Sequence, residues 1–122
     1  MTFSGKESLE VAQYLVGQAS GPCTEESARR AAISRAYFAA YGHAFHYAVE
    51  KNRFKPEGGS RDHTNLRVHY AKAKKDTIVA SELEELRIWR NMSDYYKNYI
   101  GPLSSNVTSA LNNAKDIINR LK

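Results

Sequence analysis

Between Ala32 and Ala48 an alanine stands at every fourth position: 32, 36, 40, 44 and 48. An α-helix turns once in about 3.6 residues, so this spacing lines five small side chains along one helical face. A neighbouring helix can approach closely there, while Ile33, Tyr37, Tyr41 and Phe45 fill the flanks. Thr24 can cap the start of this helix, and Glu25 and Glu26 fall in its first turn, where the helix dipole favours negative charge. The pattern predicts one long helix running to about Asn52.

The other segments carry the same period. Leu9, Ala12, Val16 and Ala19 step by three and four after Ser4-x-x-Glu7, a capping-box spacing. The Ser20–Cys23 stretch, SGPC, breaks the chain before Thr24. RFKPEGGSRD, with Pro56 and the Gly58-Gly59 pair, reads as a loop. Asp62 or Thr64 is expected to cap a shorter third helix carrying Leu66, Val68 or His69, and Tyr70. Asp76 or Ser81 opens the fourth helix, which ends in RNMSDYY and is stopped by Gly101 and Pro102. Ser104 or Ser105 caps the last helix, whose Val107, Ala110, Leu111, Ala114, Ile117, Ile118 and Leu121 form a one-sided stripe. No segment alternates with period two, and no repeat is present. The expectation is an all-α protein: a single domain over residues 1–122, five helices, four of them long enough for an up-and-down bundle.

A chain of 122 residues can bury a core without disulfides, and the single Cys23 has no partner for one. The start, MTFSGKESLE, lacks the basic and apolar runs of a signal peptide, and no stretch reaches the roughly 18 apolar residues of a membrane helix. The expected setting is soluble and cytoplasmic, with no membrane partner. The net charge of +5 is uneven. Residues 51–75 hold Lys51, Arg53, Lys55, Arg61, Arg67, Lys72, Lys74 and Lys75 against Glu57 and Asp62, a balance of +6, which leaves −1 for the rest. Such a segment either attracts polyanions or serves as a solvated face.

Several chemistries fail for want of residues. There is no Cys-x-x-Cys, His-Glu-x-x-His or Glu-x-x-His, and no Gly-rich phosphate loop. Cys23 has no sequence-adjacent histidine to activate it. His43 and His46 are spaced to share a metal but lack an evident third ligand. No metal or cofactor is expected. Two stretches stand out. In AAISRAYFAAYGHAF, Arg35 lies beside the small stripe and calls for an acceptor, because an unpaired buried charge is costly. In LRIWRNMSDYY, Leu83, Leu86 and Trp89 face inward, Arg90 and Asp94 continue close to that face, and those two, four apart, can pair along the helix. Two readings are open: a structural ion pair closing a bundle end, or an anion site in which arginines hold phosphate.

SRAYFAAYGHA, then DHTNLRVHY after a Gly-containing loop, then LRIWRNMSDYY, resemble the small prokaryotic HEPN domain, from about Leu9 to Leu121. The resemblance implies a helical bundle that pairs as a homodimer through its second and fourth helices, and a biology of toxin–antitoxin modules, phage defence and RNA processing. Many HEPN members are metal-independent ribonucleases with an arginine followed after four to six residues by a histidine. Carried over, the arginine is Arg90, and the histidine's place falls on Tyr95 or Tyr96. The sequence is similar instead to the sub-family in which Arg90 is followed by Ser93, Asp94 and Tyr95.

That departure bears on chemistry. Cleaving RNA without a metal needs a group to take the 2′-OH proton and another to protonate the leaving oxygen. Histidine, with a pKa near 6.5, suits both tasks, whereas a tyrosine near 10 is a poor base at neutral pH. His63, which matches a histidine that similar proteins carry there, can supply an imidazole from another element. The expected catalytic residues are Arg90, Asp94 and Tyr95, with Arg35, Asn91, Tyr96 and His63 binding substrate. The expected function is binding of RNA or a nucleotide, with weak or conditional endoribonuclease activity. The alternative is a non-catalytic dimer module that scaffolds or neutralises a partner such as a nucleotidyltransferase. A pocket for a free nucleotide near Arg90 and Arg35 is a third option.

Overall fold

The computed structural model describes residues 3–17, 24–72 and 76–122. Ala19, the Ser20–Cys23 break with its cysteine, and Lys74 and Lys75 lie outside the described residues. Every regular element among those described is a helix: α1 (Gly5–Val16), α2 (Glu25–Lys51), α3 (Arg61–Ala71), α4 (Thr77–Tyr95) and α5 (Leu103–Arg120). The protein is an all-α helical bundle. None of these helices is long and apolar enough to cross a membrane.

At 27 residues, α2 spans about 40 Å and is the axis of the bundle. It packs against α1, α4 and α5, and α3 lies against α4. All five alanines of the stripe are fully buried, as are Ala28 and Ala39, so the neighbouring helices come close to the α2 backbone. The approach of α1 is closest at Gly5, where a Cβ would lie 2.7 Å from His43 Cβ and 3.1 Å from the Ala39 carbonyl oxygen. Leu9 and Ala12 of α1, Leu83 and Leu86 of α4, and Val107, Ala110, Ala114 and Ile117 of α5 close the core, with Trp89 packed at its edge. Tyr70 of α3 is buried and donates to the Ala44 carbonyl at 2.6 Å, which ties α3 to α2.

Caps follow the expected chemistry at three helix starts. Ser4 Oγ accepts from the Glu7 amide, Thr24 Oγ1 from that of Ser27, and Asp76 Oδ1 from those of Ile78 and Val79. Ser81 is therefore interior to α4. The other two starts differ from expectation. Asp62 sits inside the first turn of α3, and its carboxylate accepts from the backbone amides of Glu57 and Gly58, at 2.8 and 3.0 Å. It folds the preceding loop instead of capping the helix, and those amides hold its pKa below the usual carboxylate range. Neither Ser104 nor Ser105 caps α5. The helix starts at Leu103, directly after Pro102, whose carbonyl accepts from the Asn106 amide at 2.9 Å. Gly101 (φ +109°) turns the chain into that start, whereas α4 has already ended at Tyr95.

One contact between α4 and α5 makes stability depend on pH. Burial and the Asp116 carboxylate, to which it hydrogen-bonds, push the Glu82 carboxyl up to about 8 from its ordinary 4.5. Glu82 is therefore protonated in the folded protein at neutral pH. A raised carboxyl pKa adds stability that is complete below pH 4.5 and is lost as pH rises towards 8. The Tm is expected to fall across that window. Glu82→Gln keeps a neutral donor and should flatten the fall, raising stability at pH 8 by on the order of 1 kcal/mol after allowance for solvent screening. Thermal melts of both proteins from pH 5 to pH 8 check this.

Candidate functional site

The polar end of α4 is built around Arg90. Its Nε donates to Asp94 Oδ2 at 2.9 Å, one turn further along the helix. Its Nη1 donates to Asn91 Oδ1 and its Nη2 to the Tyr95 hydroxyl, both at 3.3 Å. The guanidinium carbon lies 5.0 Å from the Phe38 ring centre, 5.3 Å from that of Tyr95 and 5.8 Å from that of Tyr37. Aromatic faces and three acceptors thus fix the fork in one orientation. A guanidinium has five N–H donors, so Arg90 keeps donors to spare.

Asp94 has a second partner, the Ser34 hydroxyl, which donates to Oδ2 at 3.2 Å. Arg35, considered as that partner from sequence, is exposed and makes no hydrogen bond or ion pair among the described residues. One residue is about 100° around a helix, enough to move position 35 off the face that position 34 presents to α4. Tyr96 is the C-cap of α4, and its carbonyl is held by Arg30.

His63 arrives from the first turn of α3. Its Nδ1 is hydrogen-bonded to the Tyr37 hydroxyl of α2. Its ring stacks on Tyr41, with centres 4.0 Å apart and planes 8° apart. Burial lowers the His63 pKa, and the charges of Arg90 and Arg67 lower it further against the opposing pull of Asp62. Burial pushes the Tyr37 phenol up to about 12. At neutral pH the pair is thus a neutral imidazole and a neutral phenol. A phenol can donate or accept, so Tyr37 can serve either tautomer, and Nε2 is the open ring nitrogen.

Two arginines complete the site. Arg67 of α3 and Arg87 of α4 share the Glu84 carboxylate, at 2.8 and 2.6 Å. Arg67 also donates to the His63 carbonyl at 3.1 Å and to Thr64 Oγ1 at 3.3 Å. Arg67, Arg87 and Arg90 line one cleft of about 400 Å³ together with Tyr37, His63, Asn91, Tyr95, Ser60 and Thr64. The three guanidiniums have Glu84 and Asp94 as ion-pair partners, and Asp62, held by the Glu57 and Gly58 amides, is a third carboxylate beside His63. Lys51, Arg53, Lys55, Arg61 and Lys72, along α3 and the chain on either side of it, are all exposed. The arrangement can hold an anion with several oriented donors, and it sets an imidazole beside that anion.

Arg30 stabilises the end of α4. Its Nη1 donates to the carbonyls of Tyr96 at 2.7 Å and Ser93 at 3.4 Å, and its Nη2 to that of Lys97 at 3.4 Å. The side chain lies over the Tyr99 ring and pairs with Glu26. A cation on the last carbonyls of a helix satisfies their acceptors and its dipole together.

Arg90, Asn91, Asp94, Tyr95 and His63 thus gather in and around the cleft, while Arg35 and Tyr96 lie outside its lining. Sequence reasoning missed Tyr37, Arg67 and Arg87 as site residues. The i, i+3 spacing of Glu84 and Arg87 was a usable signal for one of them. The two helical histidines go elsewhere: His43 Nε2 bonds the Leu121 carbonyl at 2.6 Å, and His46 packs on Phe3. No three His, Cys, Asp or Glu side chains converge as a metal site among the described residues. Comparison with known proteins returns no matching family model, curated protein or solved structure.

Proposed function

We propose that this chain is a HEPN-type protein that binds single-stranded RNA, with the phosphodiester backbone held in the cleft between α2, α3 and α4. The convergence of Arg67, Arg87 and Arg90 on one cleft carries this reading. Planar guanidiniums match phosphate oxygens in pairs. Exposed rings of Phe38 and Tyr95 at the rim offer stacking faces for unpaired bases, which supports a single strand over a duplex. The basic segment from Lys51 to Lys72 adds the long-range attraction that speeds encounter. The setting is that of the resemblance, a toxin–antitoxin or phage-defence module.

The test is fluorescence anisotropy of a labelled single-stranded RNA across a salt series. With three phosphates neutralised, log affinity should fall against log salt with a slope of roughly −2. Absence of binding at low salt, or affinity indifferent to salt, contradicts the reading.

A second reading is favoured by the exposed apolar side chains of Phe38 on α2 and Ile78 and Ile88 on α4. These helices then form a dimer face, and the protein acts as a non-catalytic module that scaffolds a partner enzyme. Light scattering tests the dimer face: a 13.8 kDa species at working concentration opposes it.

A further inference from the structure

We propose that His63 is the general base of a metal-independent RNA cleavage in this cleft, held for that role by Tyr37. The inference rests on the RNA-binding reading and adds the proton-transfer group to it. Neither tyrosine at the end of α4 is needed as the base, because an imidazole reaches the same cleft from α3.

The geometry singles out His63 among the four histidines. His43 is tied to the Leu121 carbonyl and His46 packs on Phe3, both away from Arg90. His69 lies beside Phe54 and Tyr70. His63 alone lines the cavity of the three arginines. Its ring cannot swing freely, since Tyr41 stacks on it and Tyr37 holds Nδ1. When Nδ1–H donates to the Tyr37 oxygen, Nε2 keeps its lone pair for a proton on a bound substrate. Tyr37 is therefore a positioning residue, which sets tautomer and orientation without meeting the reacting atoms.

The reaction balances as a transesterification. Nε2 takes the proton of the ribose 2′-OH. The O2′–P bond forms and the P–O5′ bond breaks, giving a 2′,3′-cyclic phosphate and a 5′-oxygen that takes a proton from water. The imidazolium then returns its proton to solvent. Charged and titratable groups reach His63 from every neighbouring element: Tyr37 and Tyr41 from α2, Asp62 and Arg67 from α3, and Arg87 and Arg90 from α4. Burial, with the guanidiniums of Arg90 and Arg67, keeps the ring neutral, hence competent as a base, at neutral pH. The guanidiniums also supply donors for the charge that grows on the phosphoryl oxygens.

The experiment uses the full chain, a 5′-labelled single-stranded RNA and EDTA. It reads affinity and cleavage rate separately from pH 5 to pH 8. The wild type is expected to cut to cyclic-phosphate ends, with a rate that rises through the His63 pKa and then levels. At saturating RNA, His63→Gln should cut about 10²- to 10⁴-fold more slowly and lose the rising limb. Tyr37→Phe, which keeps the ring in the core, should at saturating RNA slow cleavage about tenfold and shift that limb. Wild-type cleavage by His63→Gln overturns the assignment, as does RNA binding by the wild type without cleavage. Failure of the wild type to bind RNA overturns the underlying reading instead.

Discussion

Arg90→Ala is expected to weaken single-stranded RNA binding by at least about tenfold, the loss of one charge-assisted phosphate contact. The loss should exceed that of an ordinary surface cation for two reasons. The Asp94 carboxylate, now held only by the Ser34 hydroxyl, would turn its charge on the bound phosphate. Phe38 and Tyr95 would also lose the guanidinium that lies against both rings. The cleft would then hold two guanidiniums, each already paired with Glu84. The salt slope should shrink by about one unit. Stability should drop by only about 1 kcal/mol, because the side chain lies at a partly exposed rim. Lys115→Ala, on α5 away from the cleft, is the control and should leave affinity unchanged. Binding titrations of the three proteins at two salt concentrations measure all of this. Equal affinities for wild type and Arg90→Ala would remove Arg90 from the site.

Ala40→Leu is expected to cost about 3 kcal/mol, at the upper end for overpacking a close-packed core. Ala40 is the middle of the stripe and is fully buried. α2 has helices packed on several sides, so a larger side chain has no open direction in which to turn. In a domain of this size the Tm should fall by about 10 °C. Ala31→Leu, at an exposed position on the same helix, should stay within about 0.5 kcal/mol of the wild type. Calorimetry of the pair separates tight helix contact from general intolerance to change. An unchanged Tm for Ala40→Leu would mean that the stripe is not a close interface.

Much of the scaffold was legible because it is local. The alanine spacing marked the buried face of α2, and Thr24 and Asp76 marked two helix starts, since a cap acts within three residues of itself. The Arg90–Asp94 pair was legible for the same reason. What failed depended on neighbours distant in sequence. Asp62 had the composition of a cap, but the loop before it offered two amides in a better position. Arg35 was read as calling for an acceptor, whereas Ser34, one step around α2, is the residue that meets Asp94. Arg30 reads as half of an i, i+4 pair with Glu26, yet it also reaches the carbonyls that end α4, more than sixty residues away. His63 was read in sequence as a substrate-binding residue able to supply an imidazole. Its contact with Tyr37 and its place beside Arg90 arise only when α3 packs on α2 and α4, and helical periodicity does not encode that docking.

The most direct test of the cleft is an NMR titration with a single-stranded RNA oligonucleotide, following the arginine Nε–Hε signals and the His63 ring. The account requires Arg67, Arg87 and Arg90 to shift together with His63, along one saturation curve. Shifts confined to the lysine-bearing groove between α1 and α5, where Lys6 and Lys115 lie, would place the RNA on another face and contradict it.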